Sequence, residues 1–271
     1  MFSILFVLIS RTPLFFLKAI SLFFYIFART LKVSHLNITK KNIDHCFGDN
    51  KELANKSFRE TVELSLIFPF IWGKKDNYKK LIDPDYLQNK SLENDRPKIF
   101  FTLHMGCVDI LIFVLSELLE QVYFLYTPVK NKKLEHLLLQ IRQRQGGKMF
   151  PATPNGVKNL YKSFIDKKNI VIASDLVPHK QGVYEKFFDR ECFCIDLVEK
   201  LSKKGTHDLH FIYLTKGKKN KYKLVCKKIK NKITTSEMNA LFEEAILTAP
   251  ELYSWEYKKF KKPRTKSANI Y

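Results

Sequence analysis

The sequence predicts an α/β protein with a mixed central sheet flanked by helices and an N-terminal membrane helix. From Pro97 onward, short β-branched and aromatic runs alternate with helix-like stretches, which is typical of α/β folds. Residues 34–75 repeat apolar side chains at helical spacing. Residues 1–28 are dominated by Phe, Leu and Ile and are long enough to cross or enter a bilayer. We therefore divide the chain into a membrane helix (1–30) and one domain (31–271).

The domain is predicted to have a helical lead-in, an α/β core and a basic tail. The lead-in covers 34–75, the core about 97–250 and the tail 251–271. A proline opens the first strand, glycine and asparagine form a hairpin turn within 216–220, and Pro250 stops the last helix. In chain order, the predicted core elements are a strand at 98–103, a helix from 108, a strand at 122–128, helices at 131–145 and 155–166, a strand at 168–175, a helix at 192–204, strands at 208–216 and 221–229, and a helix at 235–247.

The N-terminal segment is expected to stay on the mature chain. Its positive charges lie within the apolar run, and no small-residue cleavage site follows it, unlike in a signal peptide. At about 100° per residue, Arg11, Lys18 and Arg29 fall on one narrow stripe. This stripe suits a helix that lies in the membrane interface as well as one that spans the bilayer. A buried helix of a soluble protein is the alternative.

Composition indicates the redox environment of the chain and the kinds of partner that it can bind. The chain of 271 residues carries a formal net charge of +20, which predicts an acidic partner: nucleic acid, an anionic membrane surface or an anionic substrate. The five cysteines are odd in number, and the closest pair, Cys192 and Cys194, lacks a zinc spacing. We therefore expect a reduced, cytosol-facing domain without structural metal. Four basic residues after the apolar segment support this orientation by the positive-inside tendency: Arg29, Lys32, Lys40 and Lys41.

A histidine ends the first predicted strand of the core, and this is where we place the chemistry. His104 follows that strand, and Asp109 comes five residues later. Ligands of open α/β sheets bind at the carboxyl ends of strands, so His104 lies where a reaction can occur. Gly106 permits a tight turn that returns Asp109 to the imidazole, where a carboxylate fixes the tautomer of a general base. The alternative is a histidine bonded to the backbone, with Asp109 capping the next helix.

Further polar residues sit at predicted element ends. Arg142 and Arg144 end a helix before two glycines, and their guanidinium groups suit the phosphate of a headgroup or of a carrier. The alternative is a solvated helix end whose cations complement the helix dipole. Asp175 ends a strand as His104 does, and it either orders the active site or caps a turn. Residues 182–188 follow as a loop that lines an acyl pocket or belongs to the core.

Basic residues crowd the last two strands and the tail. Those around residues 216–232 and 258–266 either form a solvated sheet face or meet anionic lipid, at about 1 kcal/mol each near such a surface. The sequence has no Walker loop, no GxSxG elbow, no dinucleotide fingerprint and no zinc-finger spacing. These absences argue against nucleotide hydrolysis and metal chemistry.

Five segments, taken in order, resemble a known family. They are residues 42–47 (Asn-Ile-Asp-His-Cys-Phe), His104 with Asp109, Arg142 with Arg144, Asp175 with Gly182, Phe187 and Phe188, and residues 250–261 (Pro-Glu-Leu-Tyr-Ser-Trp-Glu-Tyr-Lys-Lys-Phe-Lys). They resemble the motifs of the bacterial lipid A biosynthesis (late) acyltransferase family, within the lysophospholipid acyltransferase superfamily. The last segment is the most specific, because it looks like the family's Pro-Glu-Gln-Tyr-x-Trp-x-His-Arg-Arg-Phe-Lys signature.

Four positions depart from the family pattern. Val108 stands where tryptophan is usual, Asp109 where glutamate is commoner, Leu176 where glutamine is usual and Asp189 where glycine is usual. The wider superfamily uses aspartate at the position of Asp109, so the His-x4-Asp pair remains competent. These departures leave the acceptor less defined than the reaction class.

The resemblance implies a glycerolipid acyltransferase-like fold and a membrane-bound enzyme. It implies transfer of a fatty acyl chain from acyl-carrier protein to a hydroxyl of a lipid A precursor, at the cytoplasmic face of the bacterial inner membrane. His104 is expected to be the general base and Asp109 its orienting partner, while Arg142, Arg144 and Asp175 bind substrate. No cofactor, metal or nucleic acid is expected. The alternatives are a glycerolipid or aminolipid O-acyltransferase and a non-catalytic, membrane-tethered relative that binds anionic lipid.

Overall fold

The fold is organised around strand β1 (Lys98–Thr102), in which all five residues are buried. This strand pairs in parallel with β4 (Asn169–Ala173) on one side and with β7 (Asp208–Lys216) on the other. A run of β-branched and aromatic side chains suits such a position, because a central parallel strand is covered on both faces.

The computed structural model describes residues 2–31, 33–88, 95–230 and 232–271. Within them, a six-stranded sheet has the order β3-β2-β4-β1-β7-β8, with every pair parallel except the antiparallel pair β7–β8. The predicted mixed sheet flanked by helices is confirmed. The remaining strands of this sheet are β2 (Val122–Tyr126), β3 (Lys148–Pro151) and β8 (Tyr222–Ile229).

Side chains of β1 alternate between two apolar layers. Ile99 and Phe101 join one buried cluster, which includes Phe242 of the last helix, whereas Phe100 joins another with Phe113. This alternation follows from the two-residue period of a strand. The helices that cover the sheet are α5 (Val108–Leu118), α6 (Lys132–Gln143), α7 (Pro154–Ile165), α8 (Leu197–Ser202) and α9 (Thr235–Thr248).

The helical lead-in contains two helices, α3 (Ser34–Phe47) and α4 (Lys51–Gly73). Asn50 begins α4, because its side chain accepts a hydrogen bond from the Leu53 backbone nitrogen at 3.0 Å. Helix α4 contacts both α3 and the N-terminal helices. It therefore joins the N-terminal part of the chain to the sheet.

The apolar N-terminal segment forms two helices rather than the single predicted helix. Helix α1 (Phe2–Arg11) ends just before Pro13, and α2 (Leu14–Thr30) begins just after it. A proline has no backbone N–H and is favoured at a helix start, which explains this break. Lys32 of the predicted basic cluster lies outside the described residues.

Helix α2 has one covered side and one exposed apolar side. Leu17 is buried and Lys18 forms an ion pair with Glu63 of α4 at 3.2 Å, whereas Phe15 and Phe23 are 76% and 67% exposed. Of the described helices, none is by itself long and apolar enough to span a membrane. The bent pair α2 and α3 passes that test together by length and composition, with an 80° angle between the two helices. The N-terminal membrane helix therefore stays a prediction.

The region predicted as a loop at 182–188 and a helix at 192–204 begins instead with a hairpin. Strands β5 (Val183–Phe187) and β6 (Arg190–Cys194) pair antiparallel, and the helix is limited to α8. Cys192 and Cys194 are both buried on one side of β6, with their sulfur atoms 3.2 Å apart. Their i, i+2 spacing is a strand pattern.

The hairpin turn explains one departure from the family pattern. Phe188 and Asp189 connect β5 to β6 with φ values of 49° and 57°. A two-residue turn of this kind requires left-handed backbone, in which glycine is free of strain and aspartate is tolerated better than most residues. Glycine therefore suits the position of Asp189.

We predict that Asp189→Gly stabilises the protein. Removing the Cβ relieves the strain of the left-handed backbone, whereas the freedom of glycine in the unfolded chain lowers stability. The first effect exceeds the second, for a net gain of about 0.5 kcal/mol in the free energy of unfolding. The urea midpoint of the variant should rise. Asp166→Gly is the control, because Asp166 has φ −73° and should only lose stability. A midpoint that falls equally in both variants would contradict the prediction.

Candidate active site

The candidate site is built on the loop that leaves β1. His104 lies two residues beyond Thr102, and Gly106 follows with φ 65°. A Cβ at Gly106 would lie 2.9 Å from Cε1 of Tyr222, so both the backbone conformation and the space favour glycine. The tight turn predicted at Gly106 is present.

A later segment of the chain pairs with this loop. The Ser254 backbone nitrogen donates to the His104 carbonyl at 2.9 Å, and the Gly106 nitrogen donates to the Leu252 carbonyl at 2.8 Å. Met105 and Tyr253 form an antiparallel bridge between these two bonds. Residues 252–254 therefore act as a short strand that fixes the backbone around His104.

Asp175 is the partner of His104. Its Oδ1 lies 2.8 Å from Nδ1 of the imidazole, and its Oδ2 accepts a hydrogen bond from the His104 backbone nitrogen at 2.9 Å. The two residues meet because β1 and β4 are parallel neighbours, with Thr102 opposite Ala173. Each acts two residues beyond the end of its strand, so one carboxylate holds both the ring and the backbone of His104.

The electrostatic balance at His104 favours its charged form. Burial lowers the pKa of His104, but the charge and hydrogen bond of Asp175 outweigh it, so the pKa lies above the ordinary 6.5. Burial raises the pKa of Asp175, yet the His104 ring and the nearby Lys259 bring it below its usual value. The His104 side chain remains 30% exposed, and its Nε2 has no hydrogen-bond partner among the described residues. In the neutral ring, that nitrogen is free to accept a proton.

Asp109 does not hold His104, which corrects the predicted pairing. Its Oδ1 accepts from Nε of Arg142 at 2.7 Å, and its Oδ2 accepts from Nε1 of Trp72 at 2.7 Å. Asp109 lies in the first turn of α5, and its buried carboxylate faces α4 and α6 instead of the imidazole. It links α5 to Arg142 and Trp72.

The two arginines have different surroundings. Arg142 keeps a 23% exposed side chain, and within the described residues its two Nη groups have no protein hydrogen-bond partner. Arg144 instead donates to the carbonyls of Ile71, Trp72 and Lys74 at the end of α4, and its guanidinium lies over the Phe113 ring. Both of its Nη groups donate within the protein, and its Nε is buried without a hydrogen-bond partner among the described residues. The substrate-binding role of Arg144 therefore stays a prediction.

A protein-family model matches almost the whole chain. The model described as "Bacterial lipid A biosynthesis acyltransferase" matches residues 1–262. The chain belongs to this family. No curated protein matches it significantly. Membership confirms the resemblance indicated by the motifs. The family is one of acyltransferases of lipid A biosynthesis.

The family segments meet around His104 in space. Asn42, from the first segment, donates from Nδ2 to the carbonyls of Trp255 and Tyr257 at 2.6 and 2.8 Å. The Tyr257 hydroxyl accepts from the Val177 nitrogen at 2.9 Å, beside Asp175. The first and last segments are thus bonded to each other and to the loop that carries Asp175.

Lys259 and Glu256 were missed as site residues. Lys259 is 2% exposed, and its Nζ donates to the Asp175 carbonyl at 2.7 Å. Glu256 accepts from the Thr61 hydroxyl at 3.2 Å, and it raises the pKa of His104 while Arg142 lowers it. Both lie in the segment 250–261, and that match was the available signal. By composition alone, the lysines of this segment indicate only a basic tail.

The site brings acid–base groups together. Across the residues that the structure describes, no group of three or more His, Cys, Asp or Glu side chains could hold a metal ion. What the loop does bring together is an imidazole with a free nitrogen, a buried carboxylate behind it and an arginine nearby. This arrangement suits removal of a proton from a hydroxyl.

We predict that Asp175→Asn lowers the pKa of His104. Burial lowers this pKa, and the Asp175 carboxylate is the main cause that raises it; without that charge, burial is opposed only by the smaller effect of Glu256. NMR titration of the His104 ring measures the change directly. Asp109→Asn serves as control, because Asp109 does not bond to the ring, and should shift the pKa less. Equal shifts in both variants would contradict the assigned pairing.

Proposed function

We propose that this protein transfers a fatty acyl chain from an acyl-carrier-protein thioester to a hydroxyl of a lipid A precursor, at the cytoplasmic face of the inner membrane. The observation that carries the proposal is the His104–Asp175 pair at the carboxyl end of β1. Family membership supports acyl transfer in lipid A biosynthesis. The donor, the general-base mechanism and the membrane location are the parts we add.

In the proposed reaction, His104 is the catalytic base. Asp175 accepts the Nδ1–H of the ring, which leaves the lone pair on Nε2. As the acceptor oxygen attacks the thioester carbonyl, Nε2 takes the hydroxyl proton, and the imidazolium then returns a proton to the departing thiolate. The products are an ester and the free carrier thiol. General base catalysis of this kind is worth about 100- to 10,000-fold.

Asp109 acts through Arg142 in this scheme. The Asp109 carboxylate takes the Nε–H of Arg142 and thereby fixes the guanidinium near His104, where it already affects the pKa of the ring. The Nη groups are then free to bind a phosphate oxygen of either substrate. Asp109 is thus a positioning residue, and the His-x4-Asp spacing places the base on the loop after β1 and the positioning residue at the start of α5.

The net charge of the chain supports the proposed donor, and its exposed apolar surface supports the proposed membrane location. A net charge of +20 suits an acidic carrier protein, because opposite charges speed and orient association. The exposed phenylalanines of α2, among them Phe15 and Phe23, suit insertion into the boundary between headgroups and acyl chains. A helix lying in the interface requires no complete span.

We predict that His104→Ala reduces acyl transfer by at least about 100-fold. The assay uses purified full-length protein, acyl-carrier-protein thioester and a lipid A precursor, with a lysophospholipid tested in parallel as acceptor. His136→Ala is the matched control, because His136 bonds to Gln140 on the surface of α6. Near wild-type transfer by a folded His104→Ala variant would refute the mechanism. Transfer to the lysophospholipid alone would instead refute the acceptor.

Arg142→Lys and Asp109→Asn should each lower transfer by about 10-fold or more. The first replaces the guanidinium by an ammonium group, and the second removes the negative charge that holds the guanidinium in place. In both, the ionisation of His104 in the profile of kcat/KM against pH should move less than in Asp175→Asn. Activity should rise as the pH passes through the raised pKa of His104, since only the neutral ring accepts a proton. If Asp109→Asn moved that ionisation as far as Asp175→Asn, Asp109 would act on the base directly.

A further inference from the structure

A cavity of about 390 Å³ lies between α2, α4, the β7–β8 turn and the residues around 251. Its size falls within the range of ordinary ligand pockets. The apolar part of its lining consists of Leu64, Ile67, Ile71, Leu81, Tyr222 and Leu252. The charged part consists of Lys18, Lys56, Arg59, Lys216, Lys221, Glu60, Glu63 and Glu251. A pocket with an apolar floor and a charged rim suits an amphiphile.

Most of the rim charges are already paired. Lys18 pairs with Glu63 and Lys216 with Glu251, while Lys56 pairs with Glu52 outside the cavity. Arg59 and Lys221 form no ion pair within the described residues. The cavity therefore presents two uncommitted cations, which favour a phosphate group.

Glu60 gives the cavity a second kind of contact. It lines the same cavity as the two uncommitted cations and Glu63, and no described side chain donates a hydrogen bond to it. Burial and the charge of Glu63 raise its pKa. A carboxyl group in this position accepts hydrogen bonds from ligand hydroxyls.

The side of the cavity formed by the β7–β8 turn is held in place. The Asp83 carboxylate accepts from the Lys218 nitrogen at 3.1 Å, and Tyr222 exchanges backbone bonds with Leu81 and Asp83 at 2.7 and 2.8 Å. These bonds fix the backbone on either side of Lys221. The cation is therefore presented by an ordered turn.

The cavity also lies between the exposed apolar helix and the catalytic loop. Lys18 belongs to α2, whose other side carries the exposed phenylalanines. Leu252 also lines the cavity, and its carbonyl accepts a hydrogen bond from the Gly106 nitrogen, two residues beyond His104. A lipid headgroup that reaches the cavity from the membrane would therefore contact the segment that supports the active site.

We propose that this cavity binds the headgroup of an anionic amphiphile that carries a phosphate and free hydroxyls. Arg59 and Lys221 bind the phosphate, Glu60 accepts from the hydroxyls, and the apolar floor covers the first carbons of the chain. The phosphate belongs either to the acceptor or to a bulk membrane phospholipid. Binding in the cavity does not rest on the proposed function. That function bears only on whether the phosphate comes from the acceptor or from a bulk phospholipid.

The test compares vesicle binding by wild type and by the double variant Arg59→Gln/Lys221→Gln. The probes are phosphatidylcholine vesicles alone, with phosphatidylglycerol, or with a bis-phosphorylated glucosamine disaccharide lipid. Binding to the neutral vesicles measures the contribution of the apolar surface of α2, which does not depend on lipid charge. The extra binding to anionic vesicles should fall about 30-fold in the double variant, as expected for two cations near a charged surface. The control, Lys41→Gln/Lys223→Gln, makes the same change in net charge at two exposed lysines outside the cavity.

Each outcome has a defined consequence. A loss confined to the disaccharide lipid assigns the cavity to the acceptor, and an equal loss with phosphatidylglycerol assigns it to bulk phospholipid. Equal losses in the double variant and its control overturn the proposal. Absence of acyl transfer by wild type would refute the proposed function, while the vesicle result would still decide the cavity.

Glu60→Leu tests the hydroxyl contact separately. It should weaken binding to phosphatidylglycerol vesicles, whose headgroup has free hydroxyls, more than binding to phosphatidic acid vesicles, whose headgroup has none. Thermal unfolding of every variant controls for loss of fold. An equal effect on both lipids would overturn the role of Glu60.

Discussion

The parallel pairing of β1 with β4 is the constraint on which the site depends. It places the ends of the two strands side by side, so that His104 and Asp175 each leave the sheet at the same level. Asp175 then bonds to both the ring and the backbone of His104. A slip of one residue between these strands would turn one side chain to the other face of the sheet and separate the pair.

A second layer of contacts makes this arrangement rigid. Residues 252–254 bond to the backbone on both sides of Met105, and Lys259 bonds to the carbonyl of Asp175. Asn42 of α3 donates hydrogen bonds to the carbonyls of Trp255 and Tyr257, which follow in the same segment. Burying a lysine costs free energy unless its hydrogen bonds are made, so the position of Lys259 is strongly defined once the site has formed.

Much of the fold and part of the site could be predicted from the sequence. The strand and helix alternation reflects local periodicity, and His104 and Asp175 were both placed at strand ends. Their pairing could not be predicted, because it depends on the order of strands in the sheet, which periodicity does not encode.

The errors have similar physical causes. The direction of Asp109 depends on where α4 and α6 pack, and Arg144 was assigned to substrate because the carbonyls at the end of α4 are distant in sequence. The hairpin around Asp189 was missed because its turn uses left-handed backbone at two residues other than glycine. Pro13 is a local signal for a break between two helices, but the apolar composition of residues 1–28 favoured the prediction of one continuous helix.

The bond between the His104 loop and residues 252–254 also has a consequence for biosynthesis. During translation, the apolar helices α1 and α2 leave the ribosome long before the segment that completes the active site. Because chains emerge from the amino terminus first, these apolar helices are exposed while the His104 loop still lacks its partner strand. An unfinished chain therefore carries an unassembled candidate site.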